Sequence, residues 1–481
     1  MTRPPIVTIL GHVDHGKTTL LDTIRRSRIT AREHGGITQR IGGYEITTGI
    51  KGYDTDKITF IDTPGHEAFS KLRSRGATIA DIAILIIDAK DSIKPQTIES
   101  IAHIKNAKIP FIVAINKIDL PEANPGKVMK DLLKHEVITE KMGGDVLALP
   151  ISAKKGNGIP ELLEALLLIS ADQKLEYDPK GETEAYIIES NKDTRGVTAS
   201  VIIKNGTISV GDQLYTSTGK IKVRSLISDS GKQLRTVIPS TPFVLLGFSD
   251  IPAIGTILTS QKQEITKAEL STDTSKPFDM ASLFQKKEET NKLSVILKAE
   301  SQGTLEAIVE ALKKNDNISI VLEAVGDIHK SDIFLAKTTK AIVIGFSVKV
   351  IKDVKDLAKQ EKVIIKTYDV IYELLEELEE VSDIMQEKIE HEKNLKAQAK
   401  ILATFIIEGE KVFGGLITKG KVNLGDTAEI YRNNKLIGNS KLVSLRIRAK
   451  KVQEVKKDQE CGMQFAPEVD IKEGDVIKYI L

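Results

Sequence analysis

One stretch constrains the fold of this chain more than any other: Gly11-His12-Val13-Asp14-His15-Gly16-Lys17-Thr18 fits the phosphate-loop spacing GxxxxGK[ST] in full. The apolar run Ile6-Val7-Thr8-Ile9-Leu10 before it reads as a strand, and Thr19-Leu20-Leu21-Asp22-Thr23-Ile24-Arg25-Arg26 after it reads as a helix. Glycines let backbone N–H groups turn inward around an anion, and the helix N-terminus adds partial positive charge. A polyphosphate fits a cradle built from residues 11 to 18 together with Thr19. Lys17 would reach its β- and γ-phosphates while the Thr18 hydroxyl ligates Mg²⁺, a hard ion that prefers oxygen donors.

From residue 1 to 172, strand-length apolar runs (Ile6–Leu10, Ile58–Ile61, Ile82–Ile87, Phe111–Ile115, Val146–Ile151) alternate with helical segments. Runs without polar alternation are what a parallel sheet covered by helices requires, so this part is an α/β nucleotide domain. Ligands of such sheets lie at the carboxyl ends of the strands. Ile58–Ile61 delivers Asp62-Thr63-Pro64-Gly65-His66, where Asp62 can hold the magnesium through a water and Gly65 can bring a backbone N–H to the terminal phosphate. Two further strand ends deliver Asn116-Lys117-Ile118-Asp119 and Ser152-Ala153-Lys154. A carboxylate accepts from guanine N1–H and the exocyclic amine, donors that adenine lacks there, so Asp119 selects guanine. Asn116 and Lys117 would buttress the loop and cover the base, and the Ala153 N–H would meet the guanine O6.

The period changes after Asp172. Residues 181–263 show short alternating strands with glycine turns, the pattern of a small β-barrel. Gly206-Thr207-Ile208-Ser209-Val210-Gly211-Asp212 returns as Gly420-Lys421-Val422-Asn423-Leu424-Gly425-Asp426, which predicts a second barrel over 401–481; each Gly-Asp pair reads as a tight turn. Residues 264–290 are polar and aperiodic and read as a linker. A second α/β domain is expected over 291–382, where Ser301 caps a helix. Asp383–Lys400, rich in Glu and Lys with a thin apolar stripe, predicts a connecting helix. The expected fold is therefore multidomain: phosphate-loop α/β domain, β-barrel, second α/β domain, helix, C-terminal β-barrel.

Charge narrows the partners only locally. The chain carries 69 Lys and Arg against 67 Asp and Glu, a net +2, yet Lys435, Lys441, Arg446, Arg448, Lys450, Lys451, Lys456 and Lys457 face only Glu454 between residues 435 and 457. That is a phosphate-seeking face. One cysteine excludes an intrachain disulfide and suits a reducing compartment. With no long apolar run and no room for a leader before the first strand, the expectation is a cytoplasmic protein with no membrane segment.

The set G-x-x-x-x-G-K-T, D-T-P-G-H, N-K-I-D and S-A-K resembles the translational GTPases, and within them the bacterial translation initiation factor 2 family. Gly35-Gly36-Ile37-Thr38-Gln39 and Asp62-Thr63-Pro64-Gly65-His66-Glu67-Ala68-Phe69 resemble that family's two switch segments, and the likeness runs to the C-terminus. It implies GTP and GDP with Mg²⁺ as ligands, Thr38 closing on magnesium and γ-phosphate, and His66 orienting the attacking water. It implies partners too: the 30S and 50S ribosomal subunits, ribosomal RNA and formylmethionyl initiator tRNA, and a monomer without affinity for DNA. In that family the last barrel grips the initiator tRNA end, and the matching residues here are Arg446, Arg448, Glu460, Cys461 and Gly462. Cys461 would line a pocket for the methionine side chain while the arginines hold phosphates. Ile447 stands where the family carries an arginine, and the family's long N-terminal extension does not precede the phosphate loop.

Two other functions compete. An elongation-type GTPase carrying another aminoacyl-tRNA would end in β-barrels after its GTPase domain, without the second α/β domain and helix. A metabolic phosphate-loop enzyme would need its own acid–base pair at a small-substrate pocket, and no such constellation stands outside the switches.

Overall fold

A computed structural model of the chain describes residues 1–25, 42–64, 67–217, 219–229, 231–261, 292–407, 410–433, 435–448, 450–467 and 469–480. The linker expected over 264–290 lies outside the described residues, as do Thr38, Gly65 and His66. The chain divides into two compact units, one built from residues up to 378 and the other from residue 379 on.

The first unit begins with a six-stranded sheet: β1 (Ile6–Gly11), β2 (Gly42–Thr47), β3 (Lys57–Asp62), β4 (Ile82–Asp88), β5 (Phe111–Asn116) and β6 (Ala148–Pro150), in the order β2-β3-β1-β4-β5-β6. Every residue of β1 and β4 is buried, which is why those runs lack polar alternation. Val7, Ile9 and Ile84 pack with Leu20 of α1 (Lys17–Arg25) and Leu162 and Leu166 of a helix over Ile159–Gln173. Leu10, Leu85 and Ile87 face the other way, onto Ala77 of α2 (Ser70–Ile79) and Ile101 and Ile104 of α3 (Pro95–Ala107). The sheet is parallel except for β2, an antiparallel edge strand that the apolar-run pattern did not predict because only Tyr44 in it is buried.

An antiparallel β-barrel follows, its eight-stranded sheet running from Glu184–Asp193 to Ile257–Thr259. Arg3, Asp81 and Lys204 tie it to the six-stranded sheet: Arg3 Nη1 lies 2.5 Å and Lys204 Nζ 3.7 Å from Asp81, and the Thr59 hydroxyl donates to the Ser240 carbonyl. The repeated Gly-Asp turns are turns: Gly211 and Gly425 both take positive φ, and Asp212 and Asp426 accept from the backbone of Ser209 and Asn423 at 2.7 and 2.8 Å.

The second α/β domain has four parallel strands, Leu293–Ala299, Ile318–Val325, Ile342–Phe346 and Ile365–Tyr368, with helices between them. Ser301 caps the helix Gln302–Leu312, accepting from Thr304 N–H, as the turn reading predicted. The connecting helix is displaced from its expected bounds. It runs over Ile371–Lys393, because Ile371, Leu374 and Leu378 are buried at helical spacing. Residues 395–400 belong instead to the strand Leu395–Ile407, whose Ala397 and Ala399 point into a barrel core. Good helix formers there are overridden by period-two burial.

That second barrel is closed. Leu395–Ile407 pairs with both Val476–Ile480 and Glu410–Asn423, and the ring continues through Thr427–Arg432, Lys435–Ile447 and Glu460–Ala466.

Within the first unit, three domains meet at the start of the helix Gln302–Leu312. Glu189 of the first barrel is almost fully buried there and accepts from Ser190 N–H, Gly303 N–H and the Ser301 hydroxyl at 2.9 to 3.1 Å. A Cβ on Gly303 would stand 3.0 to 3.1 Å from Glu189, Ile254 and Leu72, one residue from each neighbouring segment. Arg75 and Lys71 of α2 add ion pairs to Glu306 and Glu310 at 2.8 and 3.2 Å. Burial raises the Glu189 carboxyl to about 7 against an ordinary 4.5, although its three donors pull the other way. The folded chain thus holds this proton where the unfolded chain has released it. Stability from this group is full below the unfolded value and is lost as pH rises through about 7, by about 3 kcal/mol in all. Glu189→Gln keeps the volume and an acceptor, and should flatten the fall of the thermal midpoint between about pH 5 and 8. A variant as pH-sensitive as the parent would show that another group is responsible.

Candidate functional site

The phosphate loop leaves β1 and enters α1, whose first turn carries no acidic residue to oppose its positive end. Gly16 has φ 96°, and a Cβ on it would lie 2.3 Å from Asn116 Nδ2; on Gly11 it would lie 2.4 Å from the Ile86 carbonyl. Only glycine fits either place. Lys17 is buried, its Nζ donating to the Gly11 and His12 carbonyls at 2.9 and 2.6 Å. Burial lowers it to about 7, against the opposing pull of Asp62. A polyphosphate would bring the charge that this lysine needs in order to stay protonated. His15 is also buried, edge-on to His12 with ring centres 5.1 Å apart, and burial with the neighbouring cations takes it down to about 4. At neutral pH it is uncharged, so Lys17 and backbone donors are what this loop offers an anion.

The Asn116 side chain joins three loops. Its Nδ2 donates to the His15 carbonyl and its Oδ1 accepts from Ala153 N–H, both at 2.9 Å. The Ala153 amide expected to meet guanine O6 is therefore engaged by Asn116. Lys117 Nζ, expected over the base, pairs with Asp88 at 2.7 Å, since a buried carboxylate there demands a partner. Asp119 sits at the mouth of the same loop, accepting from the Ser152 hydroxyl at 2.7 Å, which holds its carboxyl below the usual range. One of its oxygens is thus oriented by Ser152, leaving acceptor capacity for a base edge. Lys154 follows in the same loop.

Asp62 ends β3, opposite Ile9 of β1, and its charge reaches Lys17. Thr18 stands in the first turn of α1. One hydroxyl and one carboxylate are hard oxygen donors that suit a magnesium ion retaining several waters, so the donor set fits Mg²⁺. Among the described residues no group of three or more His, Cys, Asp or Glu forms a separate metal cluster. The roles expected of Thr38, Gly65 and His66 fall outside the described residues.

In the C-terminal barrel, alternation divides the expected tRNA residues between two faces. Cys461, Met463 and Phe465 point into the core, and burial pushes the Cys461 thiol up to about 11. Cys461 is a core residue and does not line an outer pocket, because period-two geometry sends its side chain inward. Ile447 also packs against that core, so an apolar residue suits the position. Glu460 is exposed and Gly462 half-buried on the outer face, where Arg446 is Gly462's cross-strand partner; Arg448 is exposed in the turn beyond. Gly462 also faces Gly414, and Phe405, half exposed, lies 3.0 Å from where a Cβ on Gly414 would be. Gly414, Gly462 and Phe405 thus share the outer face of the barrel wall with Arg446, and Phe405 and Val412 cover the two glycines. Sequence reasoning missed Phe405 and Gly414; an unpaired aromatic in the run Thr404-Phe405-Ile406-Ile407 was the available signal.

Comparison with known proteins agrees with this architecture. Family models match at residues 2–171 (Elongation factor Tu GTP binding domain), 182–261 (Elongation factor G domain 2) and 269–379 (Translation-initiation factor 2). Translation initiation factor IF-2 of Halothermothrix orenii is 41% identical over 99% of this chain and 71% of its own length. The chain belongs to the translation initiation factor IF-2 family. The IF-2 of Desulforamulus reducens is 39% identical, with 99% of this chain covering half of that longer protein. GDP-bound aIF5B from Aeropyrum pernix is a similar solved structure, at 25% identity and a TM-score of 0.48 over 100% of this chain and 92% of that one.

Membership of the IF-2 family makes the chain a translational GTPase of initiation, and neither the elongation-type carrier nor the metabolic enzyme is favoured. Among the described residues no helix is long and apolar enough to cross a membrane. The geometry around Asp119 carries a specificity test. Asp119→Asn would present an amide N–H to the guanine amine but a matching donor to the C2 oxygen of xanthine, so GTP affinity should fall by about 100-fold while xanthosine triphosphate gains. Nucleotide titration reads this directly, and unchanged guanine preference would remove Asp119 from the base site.

Proposed function

We infer that the chain is a GTP-driven factor that binds formylmethionyl initiator tRNA, places it on the 30S subunit, promotes joining of the 50S subunit and leaves after hydrolysis. The observation that carries this reading is the convergence of the phosphate loop, Asp62, Asn116 and Asp119 at the carboxyl ends of one sheet's strands, in an IF-2 family chain with a closed barrel that carries an outward arginine.

The chain's own residues divide the work. Lys17 and the backbone donors of residues 11 to 19 hold the β- and γ-phosphates, and Asp119, Asn116 and the Ser152–Lys154 loop hold guanine. Thr18, Asp62 and Thr38 would hold Mg²⁺, which when bound neutralises charge on the phosphates. Gly65 senses the γ-phosphate and His66 orients water; a histidine beside that phosphate acts mainly by positioning and electrostatics. Loops that close on the γ-phosphate and relax on its loss make hydrolysis a timer. His66→Ala should bind GTP within about twofold of the parent yet lose ribosome-stimulated hydrolysis by about 100-fold or more. Undiminished stimulated turnover would take His66 out of this role.

At the other end, Phe405 offers a half-exposed aromatic surface over Gly414, and Arg446 and Arg448 supply cations for acceptor-end phosphates. The full chain should slow spontaneous ester hydrolysis of formylmethionyl-tRNA more than of methionyl-tRNA or elongator aminoacyl-tRNAs, and Phe405→Ala should weaken that protection about tenfold. Equal protection of all three would sink the initiator assignment.

A further inference from the structure

Asp88 closes β4, beside Asn116 at the end of β5 in the parallel register, and it is buried. A carboxylate ion in such a place needs its acceptor sites filled, so its partners define what it does. The Lys90 N–H donates to it at 2.8 Å, and Lys117 Nζ lies 2.7 Å away. Burial opposes its charge, but the bonds from Lys117 and from the Lys90 and Asp91 N–H groups hold the carboxyl below its ordinary range. The pair is therefore fully ionised at neutral pH, and its bond is of the strong, charge-assisted kind.

Lys117 takes φ 63°, a left-handed conformation that residues with a Cβ rarely adopt. Such a conformation persists only where the surroundings over-determine it. Here three contacts do so. The ammonium is held by Asp88, the Lys117 carbonyl accepts from the Leu120 N–H at 3.1 Å, and the preceding Asn116 carbonyl accepts from the Ala89 N–H at 2.8 Å. The turn that closes from Lys117 to Leu120 contains Asp119, whose own side chain has the Ser152 hydroxyl as its hydrogen-bond partner. Asp119 is thus aimed from one side by Ser152 and from the other by a turn whose first residue is anchored at its backbone and at the far end of its side chain. With its charge already met by Asp88, Lys117 has its hydrocarbon stem to offer a base.

We propose that Asp88 is a positioning residue for guanine recognition: by holding Lys117 in its left-handed conformation it fixes the turn from which Asp119 meets the base. The proposal rests on the guanine reading above and adds to it a residue that touches no nucleotide itself.

The test measures GDP and inosine diphosphate, which lacks the exocyclic amine, in competition with a fluorescent GDP analogue on the full chain. Asp88→Asn and Asp88→Ala are each made alone and combined with Lys117→Met. The parent should prefer GDP. Each Asp88 variant should weaken GDP about tenfold but inosine diphosphate only about twofold, so that the preference falls about fivefold. In the Lys117→Met background neither substitution should lower the preference further, because the residue through which Asp88 acts is gone. Asp88→Asn keeps an acceptor for the Lys90 N–H and carries the comparison if Asp88→Ala does not fold. An unchanged preference, whether both affinities fall together or neither falls, would overturn the proposal, and so would a full further loss in the Lys117→Met background. A parent without preference for GDP would overturn the guanine reading and the proposal with it, whereas failure of the Asp88 variants alone leaves that reading standing.

Discussion

The side-chain amide of Asn116 is the interaction on which the nucleotide site depends. Its two hydrogen bonds, to the His15 carbonyl and from the Ala153 N–H, tie together the phosphate loop and the two loops proposed to hold guanine. Each loop is short and polar and would be weakly ordered alone. Joined at one amide, they inherit the rigidity of the buried sheet from which they leave. Gly16 is the counterpart of that amide, since any side chain there would occupy its space. Lys17 adds to the same frame through the Gly11 and His12 carbonyls, and Thr18 and Asp119 occupy places that the frame sets.

Around α2 the charges act at two strengths. The Arg73–Glu99 pair is buried on the arginine side and leaves no freedom of orientation. Lys71–Glu310 is mostly exposed and, like other surface pairs, contributes about 1 kcal/mol or less. Toward the second α/β domain the firmer contacts are the half-buried Arg75–Glu306 pair and the packing of Leu72 on Gly303. Glu189, buried where the domains meet, opposes its own ionisation in exchange for capping the helix Gln302–Leu312. Polar junctions of this kind contribute orientation more than stability.

Much of the nucleotide site was legible because its chemistry is local. The glycines, Lys17 and Thr18 are contiguous, and Asp62, Asn116 and Asp119 each follow an apolar run that could only be a buried strand. What was not legible was the occupation of individual donors: that the Ala153 N–H turns to Asn116, and that Lys117 turns to Asp88. Those pairings are decided by which polar groups end up dry together, a long-range outcome. The same holds for β2, whose single buried residue carries no pattern, and for the connecting helix, where the helix formers of residues 395–400, Leu-Lys-Ala-Gln-Ala-Lys, favour helix locally but alternate toward a core.

In the last barrel the division is sharpest. The repeat of Gly206–Asp212 at Gly420–Asp426 announces a second barrel, and composition places basic residues along it. Which side of the wall each residue faces is a matter of register, and a shift of one residue reverses it. Register put Cys461 and Ile447 inside, left Arg446 outside, and brought Phe405 over Gly414 from a strand distant in sequence. From the sequence alone came the domain order, the phosphate loop and the carboxylate proposed to select guanine, because glycine geometry, strand-end position and hydrogen-bond complementarity are properties of short segments. Only the tertiary structure decided the buried Arg73 pair, the Glu189 junction and the placing of Phe405 over Gly414, because each needs side chains from separate segments to be packed against one another.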